Sequence, residues 1–390
     1  MLDTPTQLAS RSRGIDSLRA VFAFWVVLAH VALWAPAVQG AAAMPALIVA
    51  VMGGLVKLFQ SSGETHPAVV GFIVLSGYCI HRSGLRRRAN DVRAYGVRRV
   101  FRIVPVYVLG TAVGLAGFLL SSAVAPTWAA ALSGTAAVTP ELVAAKLFAI
   151  APVAPPLFAP TFEGNAPLHT VMVEMWLYAL YPLLLVVIAR RAGERALWIL
   201  LGLAWLGGVV AITLRPELQA WWHNGSALGF LLYWWIGAKL VDDRARAVLA
   251  RYWAPLVGAW AVLTFVLVSG LASGPLAFEG RKLIFAAVVG LVIARVDRVD
   301  HGLLAIPATV GRAGYSLYAL HAPLAYSLII AGAAWWIVIA TAILVGLVSF
   351  RVYESPWQRL GRRLARGSAD STTSKDLSLP PEAMPVRGRV

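Results

Sequence analysis

The stretch RGIDSLRAVFAFWVVLAHVALW, residues 13–34, decides the fold, because it is long and apolar enough to cross a bilayer as a helix. It contains one residue that does not suit that role, His30. An ionisable side chain in the hydrocarbon region is costly and usually faces a protein interior or a water-filled cavity. The sequence therefore predicts both a membrane helix and an internal site around His30.

The composition of the chain is that of a membrane protein. Of the 390 residues, 59% are hydrophobic and 13% are charged, which exceeds the apolar content that a soluble core requires. The net charge of +16 does not indicate nucleic-acid binding, because the basic residues cluster in short loops between apolar segments, where they orient a chain in a bilayer. The single cysteine, Cys79, excludes an intramolecular disulfide.

Ten apolar segments predict an all-α, polytopic bundle of about ten transmembrane helices. Their predicted bounds are 19–38, 66–81, 103–122, 168–189, 196–213, 225–241, 253–271, 281–294, 313–332 and 334–350. Ten crossings place both termini in the cytoplasm, and only five of the 34 basic residues then fall on the outer side. The membrane domain is predicted over residues 1–366, and the polar, proline-containing residues 367–390 are predicted to be a disordered cytoplasmic tail.

Residues 41–59 form an eleventh apolar segment, which we expect not to cross the membrane. The arginine-rich loop at residues 82–99 and the N-terminal tail both carry the charge of cytoplasmic segments, so an even number of crossings separates them. The segment is therefore predicted to be an outer-face or re-entrant helix, interrupted by Pro45 and by the pair Gly53 and Gly54.

Charged residues on three of the predicted helices are candidates for chemistry. Arg19 and His30 are eleven positions apart, which returns to nearly the same helix face, with His30 about 16 Å deeper. Arg99 and Arg102, three apart at the mouth of the third span, are suited to hold phosphate groups, although as topology determinants they need no ligand. Glu174 is about two turns into the fourth span, where a glutamate needs a partner such as His30, or a function.

The remaining histidines give no metal site. Five of them lie at helix ends or in loops without the spacing of metal ligands: His66, His81, His169, His223 and His301. The sequence therefore predicts chemistry without a bound metal.

Six motifs make the chain resemble the acyltransferase 3 family, integral membrane acyltransferases that modify sugars and other hydroxylated acceptors. In chain order they are IDSLRAVFAFWVVLAH, GFIVLSGY, RRVFRIVPVY, VEMWLYALYPLLL, GRAGYSLYALHAPL and VYESPWQRL. The resemblance runs over most of the membrane portion. It implies that Arg19, His30, Arg99 and Arg102 correspond to functionally required positions, and that Glu174 is the family's usual membrane glutamate.

The chain departs from the family pattern in its second and fourth helices. Val70 stands where members often carry an acidic residue, and Glu64 and His66, slightly upstream, are candidates to replace it. Residues 170–172 replace a Trp-Ser-type approach to the glutamate, which bears on acceptor selection. His321 also fits the family pattern, and both a catalytic and a structural role are open for it.

The residues and the resemblance together predict O-acyl transfer. The expected donor is a cytoplasmic acyl-coenzyme A, most simply acetyl-CoA, with its phosphates near Arg99, Arg102 and Arg19. His30 is expected to act as general base on an acceptor hydroxyl, with Glu174 orienting it or compensating its charge, although an acyl-histidine intermediate is an alternative. The resemblance implies a multi-pass protein of the bacterial inner membrane, in contact with membrane lipid. The acceptor is left open among a cell-surface polysaccharide, a lipopolysaccharide sugar, a lipid headgroup and a secreted small molecule.

Two other classes of protein share some of these features. A proton-coupled transporter also has many spans, half-buried ionisable residues and basic vestibules. Against it, the chain has no internal repeat, and the charged residues of the first, third and fourth spans have no counterparts later. A scaffold or regulatory membrane subunit, in which the polar residues are structural, is the third class. Hydrolysis of acyl-CoA by purified protein distinguishes the enzyme from both.

Overall fold

The computed structural model describes residues 12–59, 65–86, 92–127, 140–155, 165, 167–189 and 193–376. Within these residues all regular secondary structure is helical and no strand is present, so the all-α prediction is confirmed. Glu64 and residues 377–390, for which the sequence made predictions, lie outside the described part.

Sixteen α-helices are present in the described residues. They are α1 (Arg13–Gln39), α2 (Ala46–Phe59), α3 (Pro67–Arg86), α4 (Val92–Val124), α5 (Pro140–Leu147), α6 (Pro167–Ala189), α7 (Gly193–Leu214), α8 (Gln219–Asn224), α9 (Ala227–Lys239), α10 (Asp243–Arg251), α11 (Trp253–Val268), α12 (Pro275–Val296), α13 (Ala305–Arg312), α14 (Gly314–Ile330), α15 (Trp335–Ser349) and α16 (Ser355–Asp376).

Local sequence fixes both ends of α1. The hydroxyl of Ser12 accepts a hydrogen bond from the backbone N–H of Ile15 at 3.2 Å, which caps the first turn, and Asp16 adds an acidic residue there. The helix ends at Gly40, whose φ of 92° is readily adopted only by glycine. The apolar run between these ends supplies the 27 residues of the helix.

All ten apolar segments of the sequence coincide with helices, and the segment predicted at 281–294 is longer, as the 22-residue α12. Of the described helices, five are long and apolar enough to cross a membrane, and the pair α10 and α11, bent by 61°, adds a sixth if it forms one span. The five are Arg13–Gln39, Val92–Val124, Pro167–Val186, Gly193–Leu214 and Trp335–Arg366. The count of ten and the cytoplasmic termini stay predictions. Helix α9, for example, has 13 residues and spans only about 20 Å, less than the hydrocarbon core.

Residues 41–59 are helical and are interrupted at Pro45, as predicted, but not at the two glycines. A 3₁₀ turn at Ala41–Ala43 ends before Pro45, and α2 then runs through Gly53 and Gly54 without a break. The predicted interruption at the two glycines is therefore wrong. Each glycine costs a helix only about 1 kcal/mol, and α2 packs against both α1 and α11.

The last two helices form one continuous rod. A π-helical turn at Phe350–Glu354 joins α15 to α16, and α16 packs along α4. Helices α16 and α4 approach closely at Gly361, where an added Cβ would lie 2.5 Å from the Cβ of Phe101. Helix α16 ends at Asp376, so residues 367–376 of the segment predicted as a disordered tail are helical. The contact places the first turns of α16 beside the beginning of α4.

Two glycines allow α3 and α9 to cross in close contact. A Cβ added at Gly77 would lie 1.9 Å from the carbonyl oxygen of Trp234, and one added at Gly237 would lie 1.8 Å from that of Val74. Because the backbones approach so closely, the indole N–H of Trp234 reaches the hydroxyl of Ser76, with its nitrogen 3.3 Å from the oxygen. This crossing fixes one wall of the candidate site.

Asp297, just after α12, ties the beginning of α1 to the end of α3. Its backbone carbonyl accepts a hydrogen bond from the hydroxyl of Ser12 at 3.0 Å, and its carboxylate pairs with Arg82. Helices α13 and α14 also pack against α1. The predicted cytoplasmic ends of α1, α3 and α4 are thereby gathered around one space.

Candidate active site

A central cavity collects four of the five site residues that the sequence predicted. Arg19, Arg99, Arg102 and Glu174 all line it, and its volume is about 150 Å³. The walls come from α1, α3, α4, α6 and the junction of α13 with α14. Residues as far apart in the sequence as Arg19 and Tyr318, 299 positions, therefore face one space.

A second cavity, of about 140 Å³, lies at the beginning of α4. Its lining residues are Ser83, Tyr95, Arg98, Arg99, Arg102, Gln358 and Arg362. Because Ser83, Arg99 and Arg102 also line the central cavity, the two cavities are adjacent and share these three residues in their walls. Four arginines around one small space create a positive potential that attracts anions.

Arg99 is held in place by aromatic rings. Its guanidinium carbon lies 5.6 Å from the centre of the Tyr95 ring and 5.8 Å from that of Tyr178, within the range of cation–π contacts. Its Nε is buried and has no hydrogen-bond partner in the described part of the chain. The side chain thus lies against two aromatic rings and contains a buried donor that no described residue uses.

Arg19 already has two partners within the protein. One terminal nitrogen pairs with the carboxylate of Asp16, which is buried, and the other donates to the sulfur of Cys79 over 2.9 Å. The charge of Arg19 is therefore compensated locally. Its side chain lines the inner part of the cavity system without contributing to the second, arginine-rich cavity.

Glu174 is bonded to neighbouring hydroxyl groups. Its Oε1 accepts hydrogen bonds from Ser76, at 2.6 Å, and from Tyr178. The hydroxyl oxygens of Ser76 and Tyr178 also lie 2.9 Å apart, so the three side chains form a closed set. Among the described residues Glu174 has no bond to His30, and its recorded partners are the two hydroxyl groups.

His30 is paired instead with His321 of α14. The Nδ1 of His30 lies 2.9 Å from the Nε2 of His321, and the two rings are nearly parallel, with centres 5.2 Å apart. On its other side the His30 ring stacks on Trp34, with centres 4.6 Å apart and an angle of 7° between the planes. His321 is completely buried, whereas His30 is half-buried.

Tyr318 links the central cavity to the histidine pair, and Phe72 packs against it. Both line the cavity, and their ring centres are 5.2 Å apart. The ring of Tyr318 also contacts that of His321, with centres 5.9 Å apart. The cavity therefore ends within one aromatic layer of the histidine pair.

Comparison with known proteins assigns the chain to a family. Residues 12–352, nearly the whole chain, match the model of an acyltransferase domain. The chain belongs to the acyltransferase 3 family. The match shows that the predicted resemblance is correct, and with the apolar helices it identifies a membrane-embedded protein of acyltransferase type. No curated protein and no solved structure matches this chain.

Several residues around the cavities of this acyltransferase 3 protein were not predicted from the sequence. Tyr178 follows Glu174 by one helical turn, and that spacing was the available signal. Ser76 lies in the GFIVLSGY motif, and Tyr318 lies three residues before His321 in the same helix. The role of Arg362 in lining a cavity could not be predicted from the sequence. It lies beyond the last apolar segment, in a polar, arginine-rich helix whose sequence does not indicate packing against the bundle.

His66, a candidate to replace the missing acidic residue, lies at the start of α3. Its Nδ1 accepts a hydrogen bond from the backbone N–H of Ala68 at 3.2 Å, and its ring packs edge-on against Trp25. In the described residues no group of three potential ligands is arranged to hold a metal ion.

Proposed function

We propose that this acyltransferase 3 protein transfers an acyl group, in the simplest case acetyl, from a cytoplasmic acyl-CoA to a hydroxyl group of a glycan or lipid acceptor. The observation that carries the proposal is the adjacent pair of cavities. One cavity lies among four arginines at the start of α4, and the adjacent central cavity is lined by Tyr318, whose ring contacts His321. Family membership favours this reaction over the transporter alternative.

The arginine-rich cavity suits the phosphates of coenzyme A. Arg98, Arg99, Arg102 and Arg362 line it, and guanidinium groups bind phosphate oxygens through paired, charge-assisted hydrogen bonds. Gln358 adds an amide from the same side as Arg362. We expect the nucleotide end of the donor to remain here, at the predicted cytoplasmic end of the bundle.

The central cavity suits the thin pantetheine arm. Its walls include Arg99 and Arg102, the bonded pair Ser76 and Glu174, and Tyr318. A movement of the Tyr318 ring would let the thioester carbonyl reach His30, which faces His321 behind that ring. Holding the thioester and the acceptor hydroxyl in contact supplies a large share of the rate enhancement in such reactions.

His30 is the proposed general base. It takes the proton of the acceptor hydroxyl as that oxygen attacks the thioester carbonyl, a new C–O ester bond forms, and the C–S bond breaks. The proton then passes from His30 to the departing thiolate, so the products are the acylated acceptor and free coenzyme A. We expect the acceptor to be a surface polysaccharide, a lipopolysaccharide sugar or a related glycolipid. It would reach His30 from the membrane face opposite the donor. The membrane that we expect is the inner membrane of a bacterium.

Purified protein in detergent tests the proposal directly. We expect the parent to bind coenzyme A and to release free coenzyme A from acetyl-CoA when the acetyl group passes to an acceptor or to water. We expect His30→Ala to bind coenzyme A but to show no turnover. His301→Ala, which changes an exposed histidine on a loop, is the matched control and should keep the parent activity. A parent protein that neither binds coenzyme A nor consumes acetyl-CoA would overturn the proposed donor, and a fully active His30→Ala would overturn the proposed base.

A further inference from the structure

His321 is bonded at both of its ring nitrogens. Its Nε2 lies 2.9 Å from Nδ1 of His30. Its Nδ1 lies 2.9 Å from the backbone carbonyl oxygen of Tyr318 and 3.2 Å from that of Leu317, both in the preceding turn of α14. The ring is therefore held between its own helix and His30.

These contacts determine where the protons sit. A carbonyl oxygen can only accept a hydrogen bond, so Nδ1 of His321 must carry a proton. His321 is completely buried and has no carboxylate partner among the described residues, so a second proton would leave an unpaired charge in an apolar interior. A neutral imidazole has one N–H, and the Nε2 of His321 is consequently an acceptor.

The acceptor at His321 in turn determines which nitrogen of His30 is protonated. Its Nδ1 faces the lone pair of His321 Nε2, so the hydrogen bond between them requires a proton on Nδ1 of His30. If His30 is neutral, its other nitrogen, Nε2, has a free lone pair. In the described part of the chain no hydrogen bond occupies that nitrogen.

We propose that His321 is a positioning residue that fixes His30 in the Nδ1–H tautomer and thereby leaves the basic lone pair on Nε2, free to take a proton. This inference rests on the proposed function, because it specifies how His30 serves as the base. A series of hydrogen bonds connects the Tyr318 carbonyl to His321 and His321 to His30. The stacked ring of Trp34 holds the plane of the His30 ring. A hydrogen bond at the second nitrogen is the usual means of fixing the tautomer and orientation of a functional histidine.

His321 also stabilises the state that follows proton transfer. When His30 takes a proton at Nε2, its Nδ1–H remains bonded to the lone pair of His321, and that bond becomes charge-assisted. No proton leaves or enters His321 in this step. Its contribution therefore acts wholly through His30, and it needs no contact with donor or acceptor.

Nitrogen NMR of the parent protein tests the tautomer without reference to activity. The protein is labelled with ¹⁵N in its seven histidine rings, and the His30 signals are those that disappear in His30→Ala. We expect a protonated Nδ1 and an unprotonated Nε2 for His30, and the same pattern for His321. A His30 ring that carries its proton on Nε2 would overturn the inference, even if His30→Ala is inactive and the general base is thereby confirmed.

Two variants of similar size separate positioning from packing. The carbonyl oxygen of Gln can lie near the position of His321 Nε2 and accept from His30, whereas Leu cannot accept. We expect His321→Leu to lose most of the rate that the base supplies, typically 10²- to 10⁴-fold in kcat, with unchanged affinity for coenzyme A. His321→Gln should retain at least tenfold more activity than His321→Leu. Equal losses in the two variants would contradict the positioning role, and if neither variant folds, the NMR result on the parent decides.

Discussion

The hydroxyl of Ser76 donates a hydrogen bond to Oε1 of Glu174 over 2.6 Å and so joins α3 to α6 on the wall of the central cavity. Tyr178 donates to the same oxygen from one turn further along α6. The carboxylate thus has hydroxyl donors on two helices. Its position indicates that it shapes the donor cavity, while His321 takes the place beside His30 that the sequence assigned to Glu174.

Replacing Glu174 separates its hydrogen bonds from its charge. Glu174→Ala leaves both hydroxyl donors without their acceptor, and we expect it to lower the free energy of unfolding by about 1–3 kcal/mol. Glu174→Gln keeps a carbonyl oxygen for them and should lose clearly less. Unfolding of the purified variants in detergent measures both values, with Glu217→Gln as an exposed control. Equal losses for Ala and Gln would contradict the hydrogen-bonding role.

The helices were largely predictable and the side-chain contacts within the site were not. Apolar segments separated by basic loops predicted the long apolar helices, because burial in a bilayer demands that pattern, whereas the polar α16 was not predicted. Arg99 and Arg102 could be foreseen as neighbours since they lie one turn apart on one helix. The partner of His30 could not, because His321 is 291 positions away and the pairing depends on how α1 packs against α14. Arg362 was hidden for the same reason, since only the packing of α16 on α4 brings it to the cavity.

The close crossing of α3 and α9 predicts a local sensitivity to side-chain volume. Gly77→Ala places a Cβ 1.9 Å from the Trp234 carbonyl oxygen, so the helices must move apart, and overpacking of this kind costs typically 1–3 kcal/mol. Gly202→Ala is the matched control, because nothing lies within 4 Å of its added Cβ and alanine favours the helix. We expect Gly77→Ala to unfold at a lower temperature than the parent and Gly202→Ala at the same or a higher one. Equal stability of Gly77→Ala and the parent would show that the crossing is not a tight contact.

Cys79 offers a probe of the central cavity, because it lines the cavity and is the only cysteine in the sequence. If the donor occupies this space, coenzyme A should protect the thiol from a small alkylating reagent. Protection should follow donor occupancy, so a concentration of ten times Kd should slow alkylation by about tenfold. Mass spectrometry of the protein measures the labelled fraction. Alkylation that proceeds at one rate with and without saturating coenzyme A would place the donor elsewhere.

Arg362 tests whether the last helix takes part in donor binding. Arg362→Ala removes one of the four arginines around the second cavity, and a charge-assisted hydrogen bond contributes about 1.5–3 kcal/mol. We therefore expect Kd for coenzyme A to rise by about ten- to hundredfold. Arg359→Ala is the control, since this exposed arginine lies one turn away in the same helix and donates to Ser355 instead. Similar affinities in the two variants would exclude Arg362 from the donor site.

Variants of Arg99 and Arg102 distinguish binding of the donor from the chemical step at His30. Arg→Lys at either position keeps the positive charge and the predicted topology signal but loses the planar fork that matches a phosphate group, so coenzyme A should bind more weakly. Arg99→Lys should have the larger effect, because the stacking on Tyr95 and Tyr178 that fixes the guanidinium is lost with it. His30→Ala should show the reverse pattern, with parent-like binding and no turnover. Calorimetric titration of coenzyme A into each purified variant, beside a measurement of kcat, distinguishes the two patterns. If both lysine variants bind as tightly as the parent and yet fail in transfer, these arginines serve the reaction or the helix packing, and the phosphates of the donor lie outside the cavity that they line.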